Sequence, residues 1–194
     1  MAVSLVSTGI TFPDSTTQTS AANPAGLVLI STVTASNAST VTVTGFSATY
    51  VSYMIVGQGI YPGTSQDYGL GMQINGATSN HKGICATAQS GTSTWSIEAG
   101  YTSGIVINRG SQTTSSNDAC NFEIFLPNAV GGNGYKNVNG SANSYDGSVS
   151  KSTYATFGGT YLSTADITSV VISMLNGGNT VYGTLKLYGL RNSV

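Results

Sequence analysis

The chain has 194 residues, which is enough for one substantial domain with a hydrophobic core. Only 7% of its residues are charged and the net charge is -1, whereas soluble domains carry about 25% charged residues. The 11 Tyr and 5 Phe exclude the composition of a disordered chain. No Lys/Arg cluster is present to neutralise a run of phosphates, so we exclude nucleic acid as a main partner.

The sequence also argues against a membrane partner. No apolar run approaches the ~18 residues that span a bilayer. The first residues have no basic region followed by an apolar stretch, so we expect no secretory leader. Cys85 and Cys120 each lie in an apolar, strand-like run. We therefore expect two buried free thiols rather than a disulfide, although the spacing alone leaves their pairing open.

The first 25 residues differ from the rest of the chain. They are rich in Ser and Thr, and they end in the linker-like Asn23-Pro24-Ala25-Gly26. We predict an extended N-terminal arm at 1–25 and a single β-domain at 26–194. Because so short an arm cannot bury itself, we expect it to pack on another chain or on the domain.

From Leu27 onward, short β-prone runs alternate with turn residues. We predict strands at Leu27–Val33, Thr40–Gly45, Tyr50–Ile60, Tyr68–Ile74, Lys82–Ala88, Thr94–Ala99, Gly104–Asn108, Ala119–Leu126, Tyr154–Thr160, Thr168–Leu175 and Thr180–Leu190. Runs at this spacing are typical of an antiparallel sandwich or barrel. No window has helical periodicity, so we expect very little helix.

Two turn signals stand out between these runs. Asn75-Gly76 and the stretch 176–179 place residues that tolerate positive φ between strand-like segments, which predicts tight hairpins. The second would join the last two strands. The polar segment Asn128–Lys151 has the weakest pattern, and we predict a long surface loop there, with turns at Asn139-Gly140 and Asp146-Gly147.

The residues that catalysis requires are scarce. The single histidine, His81, lies just before a strand, and we expect a surface turn residue rather than a base. Glu98 and Glu123 are the least implausible glycosidase pair, but we favour outward-facing charges that protect strands from aggregation. One His and two distant Cys make no zinc site, and the stretch 131–134 lacks the context of a phosphate loop. We expect no enzyme, metal or cofactor.

Tyrosines and amides in polar surroundings offer a different function. Such residues make adaptable contacts in the binding loops of β-sandwiches. Tyr61 and Tyr101 also lie in such surroundings, although tyrosines often merely cap a sandwich edge. The exposed binding loop that we predict contains Tyr135, Asn137, Asn139 and Tyr145.

Residues 9–22, GITFPDSTTQTSAA, resemble a motif of tailed-bacteriophage virion proteins. The matching residues are Gly9, Phe12, Pro13, Asp14, Gln18 and Thr19, and Ser15 stands where the motif has Gly. The stretch 181–194 is similar to the closing strand of small jelly-roll-like modules in phage particles, and 50–76 resembles an early hairpin of those modules. The resemblance covers about a third of the chain and implies a jelly-roll-like sandwich.

The resemblance further implies a non-enzymatic virion component, assembled in the host cytoplasm, that forms a homotrimer. Its arm would contact neighbouring subunits, the major capsid protein or other virion proteins through Ile10, Phe12, Pro13, Asp14 and Gln18. A fibre needs a long shaft, so the short arm favours a capsid decoration or cement protein. The alternative is a tail-fibre or receptor-binding component, with a host-surface glycan as partner.

Overall fold

The computed structural model describes residues 4–6, 9–11, 17–18, 26–64, 69–91, 95–109, 114–146, 150–175 and 181–191. The strands are β1 (Ser4–Val6), β2 (Gly9–Thr11), β3 (Thr17–Gln18), β4 (Gly26–Ala38), β5 (Val41–Thr44), β6 (Ser52–Pro62), β7 (Leu70–Ile74), β8 (His81–Gln89), β9 (Trp95–Tyr101), β10 (Ile105–Asn108), β11 (Cys120–Pro127), β12 (Lys136–Asp146), β13 (Lys151–Tyr161), β14 (Ser169–Met174) and β15 (Val181–Arg191). One 3-10 turn, Ser116–Asp118, is the only helical element in the described ranges. The all-β prediction is confirmed, and each of the eleven predicted runs overlaps a strand.

The first three strands form a small antiparallel sheet of their own, in the order β1-β2-β3. In this sheet Ile10 lies opposite Leu5 on one side and Gln18 on the other. Strand β4 then begins at Gly26, whose φ of 106° suits glycine alone. The division of the chain into an arm and a domain stays a prediction.

The remaining strands form two antiparallel sheets that pack face to face as a sandwich. The four-stranded sheet has the order β10-β7-β14-β5, and the eight-stranded sheet has the order β4-β15-β6-β11-β12-β13-β8-β9. From β5 to β11 the chain passes repeatedly between the sheets. The orders β5-β14-β7-β10 and β6-β11-β8-β9 are those of a jelly roll, with β12 and β13 inserted between β11 and β8 and with β4 and β15 added at one edge. The jelly-roll-like sandwich is therefore confirmed.

Alternation along the strands places the core between the two sheets. In β11, CNFEIFLP, every second side chain from Cys120 to Leu126 is buried and those between are exposed. Strand β5 alternates in the same way, as expected for strands that are covered on one face. Each fully buried aliphatic, such as Ile55 and Ile124, stabilises the fold by about 1.5–3 kcal/mol.

Two inward-facing glycines lie beneath aromatic rings in the eight-stranded sheet. Gly57 in β6 pairs with Phe122, and Gly140 in β12 pairs with Phe157. A Cβ atom at either glycine would overlap the opposing ring. The missing side chains therefore make the space that the two phenylalanines fill.

The predicted loop at Asn128–Lys151 is wrong for its central part, Lys136–Asp146. Lys136–Asp146 is an eleven-residue strand in the middle of the sheet, paired with β11 and β13. Asn139-Gly140 lies within this strand rather than in a turn. Ladders on both sides satisfy the backbone groups of β12, and this pairing outweighs the low β-propensity of its Asn, Gly and Ser residues.

Both predicted hairpins are also wrong, because the flanking strands belong to different sheets. Asn75 and Gly76 do have positive φ, 54° and 64°, but they carry the chain from β7 to β8 across the sandwich. The Asn75 side chain attaches the turn to the segment before β14, where its Oδ1 accepts from the Thr168 and Ser169 amides at 2.8 and 3.2 Å. Stretch 176–179 lies outside the described residues, and β14 and β15 also lie in different sheets.

Candidate binding face on the eight-stranded sheet

The outer face of the eight-stranded sheet presents rows of side chains that run across the strands. Directly opposed residues of antiparallel strands point to the same side, so the register defines each row. The rows are Trp95, Ala88, Tyr154, Asn143 and Asn121; then Ile97, Ala86, Thr156, Ser141, Glu123, Val56, Lys186 and Thr32; then Ala99, Ile84, Gly158, Asn139, Phe125, Met54, Tyr188 and Leu29. Only Glu123 and Lys186 carry charge in these rows.

Two shallow grooves cross this face between β6 and β13. One has a volume of about 380 Å³ and the other about 410 Å³. Both are lined by Glu123 and Ser141, so they adjoin, and we call them together the outer trough. The outward-facing side chains that line the outer trough are Met54, Val56, Gln58, Asn121, Glu123, Phe125, Asn139, Ser141, Asn143, Tyr154 and Thr156.

The polar floor of the outer trough is only partly occupied by internal hydrogen bonds. Ser141 Oγ donates to Glu123 Oε1 at 3.1 Å, and Asn121 Oδ1 accepts from the Gly59 amide at 3.0 Å. The side-chain amides of Asn139 and Asn143 make no hydrogen bond within the described ranges. These two amides are therefore available to a ligand.

Exposed aromatic rings border this polar floor. Tyr154 is 48% exposed and Phe125 is 40% exposed. The Tyr154 ring packs edge-to-face with Trp95 across the small side chain of Ala88, with 6.2 Å between ring centroids. Exposed rings beside free amides are typical of a binding surface rather than of a bare sheet.

The four residues of the predicted binding loop lie in or beside β12. Tyr135 precedes the strand and is 59% exposed. Asn137, Asn139 and Tyr145 lie on the outer face of the strand, so the loop itself is wrong although the exposure of the residues is as expected. Asn137 Oδ1 accepts from Thr160 Oγ1 at 2.9 Å. Of the four, Asn139 alone lines the outer trough.

Two of the five predicted arm residues lie in the small N-terminal sheet. Ile10 in β2 is paired with Gln18 in β3. Phe12, Pro13 and Asp14 lie outside the described residues. Their role in contacts with other subunits stays a prediction.

His81 is not the surface residue that we predicted, because it is fully buried at the start of β8. Its Nε2 accepts a hydrogen bond from the Ile74 amide at 3.1 Å, and its ring stacks on Tyr161. Nδ1 is buried with no hydrogen-bond partner in the described part of the chain. Burial lowers the pKa of His81 below its ordinary value of 6.5. The imidazole is thus a neutral acceptor for the backbone.

Glu98 and Glu123 do not form a carboxylate pair. They lie in β9 and β11, four strand spacings apart, which is ~19 Å at ~4.8 Å per spacing. Paired glycosidase carboxylates are ~5–9.5 Å apart. Glu123 faces outward as predicted, whereas Glu98 is half-buried and its Oε2 lies 2.6 Å from Arg109 Nε. This ion pair links the adjacent edges of the two sheets.

The two cysteines are free and buried, as we expected. Burial raises the pKa of Cys85, and it raises the pKa of Cys120 to about 12. Asn108 Nδ2 lies 3.7 Å from Cys120 Sγ and donates to Ser144 Oγ at 3.0 Å. Both thiols are therefore packing residues.

No group of three or more His, Cys, Asp or Glu residues in the described ranges could hold a metal ion. Among the same residues, no helix is long and apolar enough to cross a bilayer. Comparison with known protein families, with curated proteins and with solved structures finds no match.

Proposed function

We propose that the protein is a non-enzymatic structural component of a tailed-bacteriophage virion that assembles as a homotrimer and decorates the capsid. The N-terminal motif motivates the virion assignment. The structural observation that supports assembly is the pair of edge strands of the eight-stranded sheet, β4 and β9, whose outer sides pair with no other strand in the described part of the chain. Monomeric proteins usually protect such edges with charged residues, proline or bulges, because an open edge pairs with other chains.

Of these protections the β4 edge has only register irregularities, at two places in its pairing with β15. Its thirteen residues include no charged residue and no proline. Leu27 and Leu29 lie on its outer face and are each 53% exposed. Two half-exposed leucines on an edge strand form an apolar patch, and burying that patch against another protein surface is favourable.

The β9 edge has the same character at the opposite end of the sheet. Trp95 and Ile97 are 51% and 65% exposed, and the one charged residue of β9, Glu98, is bound by Arg109. The two edges are seven strand spacings apart, ~34 Å along the sheet. Contact between the β9 edge of one copy and the β4 edge of the next would cover both, and such head-to-tail contacts close into rings such as trimers.

The oligomeric state tests self-association directly. Native mass spectrometry of the full chain should give a species of three times 19.7 kDa. The variant Ile97→Lys, which places a charge on the β9 edge, should lower the trimer fraction, while Thr78→Lys on an exposed turn should not. A wild-type chain that stays monomeric at all concentrations would overturn the assembly proposal.

Incorporation into particles tests the virion role. Deleting residues 1–22 should leave a folded sandwich that no longer enters particles, because the arm carries the motif. Normal incorporation of the truncated chain would contradict the role of the arm. Quantitative mass spectrometry of purified particles should give hundreds of copies for a capsid decoration protein.

The second candidate function is a tail-fibre or receptor-binding component that recognises a host-surface glycan. The free amides and exposed rings of the outer trough support it. A copy number of a dozen or two per particle would favour this candidate over capsid decoration.

A further inference from the structure

We propose that the outer trough is a binding site for an extended, uncharged oligosaccharide. The proposal rests on the second candidate function, and it places the ligand on the outer face of β6, β11, β12 and β13 rather than in a loop. Four properties of the trough support this ligand class: shape, hydrogen-bonding capacity, aromatic borders and charge.

The shape favours a long ligand over a compact one. The two grooves lie on the open face of a sheet and adjoin at Glu123 and Ser141. A small molecule bound there would keep much of its surface in water, whereas small-molecule sites bury ~70–90% of their ligand. An oligomer can instead collect contacts along the three spacings from β6 to β13, ~14 Å.

The hydrogen-bonding groups match hydroxyl-rich ligands. A side-chain amide offers both a carbonyl acceptor and two N–H donors, and a sugar hydroxyl can pair with either. Asn139 and Asn143 lie four residues apart on the same face of β12, which places them ~13 Å apart along the strand. Ser141 lies between them and holds the Glu123 carboxylate through a hydrogen bond of 3.1 Å, so the carboxylate is oriented and retains acceptor capacity.

The aromatic borders supply the apolar contact that a sugar ring requires. Carbohydrate C–H groups carry partial positive charge and pack on the negative face of an aromatic ring. Tyr154 borders the trough, and Trp95 supports its ring from the side at an interplanar angle of 87°. Phe125 lies on the β11 side of the same groove. A ring held in place by a neighbour loses little entropy when a ligand stacks on it.

The negative charge of the trough disfavours anionic ligands. Among the described residues, Glu123 is the only Asp, Glu, Lys, Arg or His side chain that lines the trough. The nearest outward-facing cation in its row, Lys186, lies two strand spacings away, ~10 Å. A uronate or phosphate polymer would therefore meet repulsion without a compensating cation.

Titration calorimetry on the full chain tests the site with defined probes. The probes are maltohexaose, cellohexaose and chitohexaose as uncharged hexamers, and an alginate hexamer as the anionic comparison. We expect at least one uncharged hexamer to bind and the alginate hexamer not to bind. Absence of binding by all three uncharged hexamers, or tighter binding of alginate, would overturn the proposal.

Variants of exposed residues link binding to the trough. Asn143→Ala and Tyr154→Ala should each weaken binding about tenfold, the effect of one lost hydrogen bond or ring contact of ~1.4 kcal/mol. Asn133→Ala removes an exposed amide outside the trough and should leave the dissociation constant unchanged. Glu123→Gln, which removes the negative charge of the trough, should reduce the discrimination against alginate. Unchanged affinity in both trough variants would refute the location.

The experiments can refute the sugar-binding site and the virion role separately. A chain that binds a hexamer but is absent from particles would retain the site and overturn the virion role. A chain that is present in hundreds of copies but binds none of the hexamers would retain the virion role and overturn the site.

Discussion

Replacement of Gly140 by alanine tests the glycine–aromatic packing at the centre of the eight-stranded sheet. A Cβ atom at this position would overlap the Glu123 carbonyl oxygen and Phe157 Cζ, and it would lie 2.9 Å from Phe157 Cε2. The Phe157 ring is buried, so it has little room to rotate away. The carbonyl oxygen belongs to the backbone of the neighbouring strand, β11.

The expected cost follows from which atoms have to move. Overpacking a core costs ~1–3 kcal/mol when side chains can adjust. Here the β11 backbone is held by ladders to β6 and β12, so we expect the upper end, about 3 kcal/mol. For a chain of this size, 1 kcal/mol shifts Tm by ~2–4 °C. Gly140→Ala should therefore melt ~6–12 °C below the parent protein.

Gly158→Ala provides the matched control in the adjacent strand. A Cβ atom at Gly158 would meet only the Val138 carbonyl oxygen, at an ordinary 3.5 Å. Alanine in a strand is favoured over glycine by ~0.5–1 kcal/mol, so this variant should melt at or slightly above the parent temperature. Thermal unfolding followed by circular dichroism compares the two. Equal Tm values for the two variants would refute the packing argument.

Three further predictions concern ionisable groups. Burial keeps His81 neutral in the folded protein, whereas in the unfolded chain it binds a proton below about pH 6.5. The free energy of unfolding should therefore fall from pH 7 to pH 5. A thermal-shift assay should find a smaller fall for His81→Gln, and an equal fall would contradict this role. Because Cys85 and Cys120 are buried, their thiols should resist iodoacetamide at pH 8 in the folded protein and react fully in guanidinium. Mass spectrometry measures the extent of labelling. Rapid labelling of the folded protein would contradict their burial. Arg109→Met should lower the free energy of unfolding, measured with denaturant, by less than about 1 kcal/mol, because the ion pair with Glu98 is about one-third exposed. The loss should be smaller still in high salt. A larger loss that does not depend on salt would indicate a different role for Arg109.

The amino-acid sequence by itself determined the class of the fold. Period-two alternation in segments such as β5 and β11 requires strands with one buried face, and the scarcity of helical periodicity excludes a helical core. The low content of charged residues likewise predicts an outer face on which Thr, Ser, Asn and Tyr occupy positions that Lys and Glu fill in most soluble proteins. These properties depend on local spacing and composition, which a sequence displays directly.

Tertiary structure alone decided the location of β12, the burial of His81 and the assembly of the outer trough. β12 is a strand because β11 and β13 pair with it, and His81 is buried at a place where its Nε2 accepts a hydrogen bond from the Ile74 amide. The trough joins Met54, Glu123, Asn139 and Tyr154, which are far apart in the sequence and meet through the strand order β6-β11-β12-β13. Local patterns specify which residues can form strands, whereas the partners of each strand depend on packing across the whole chain.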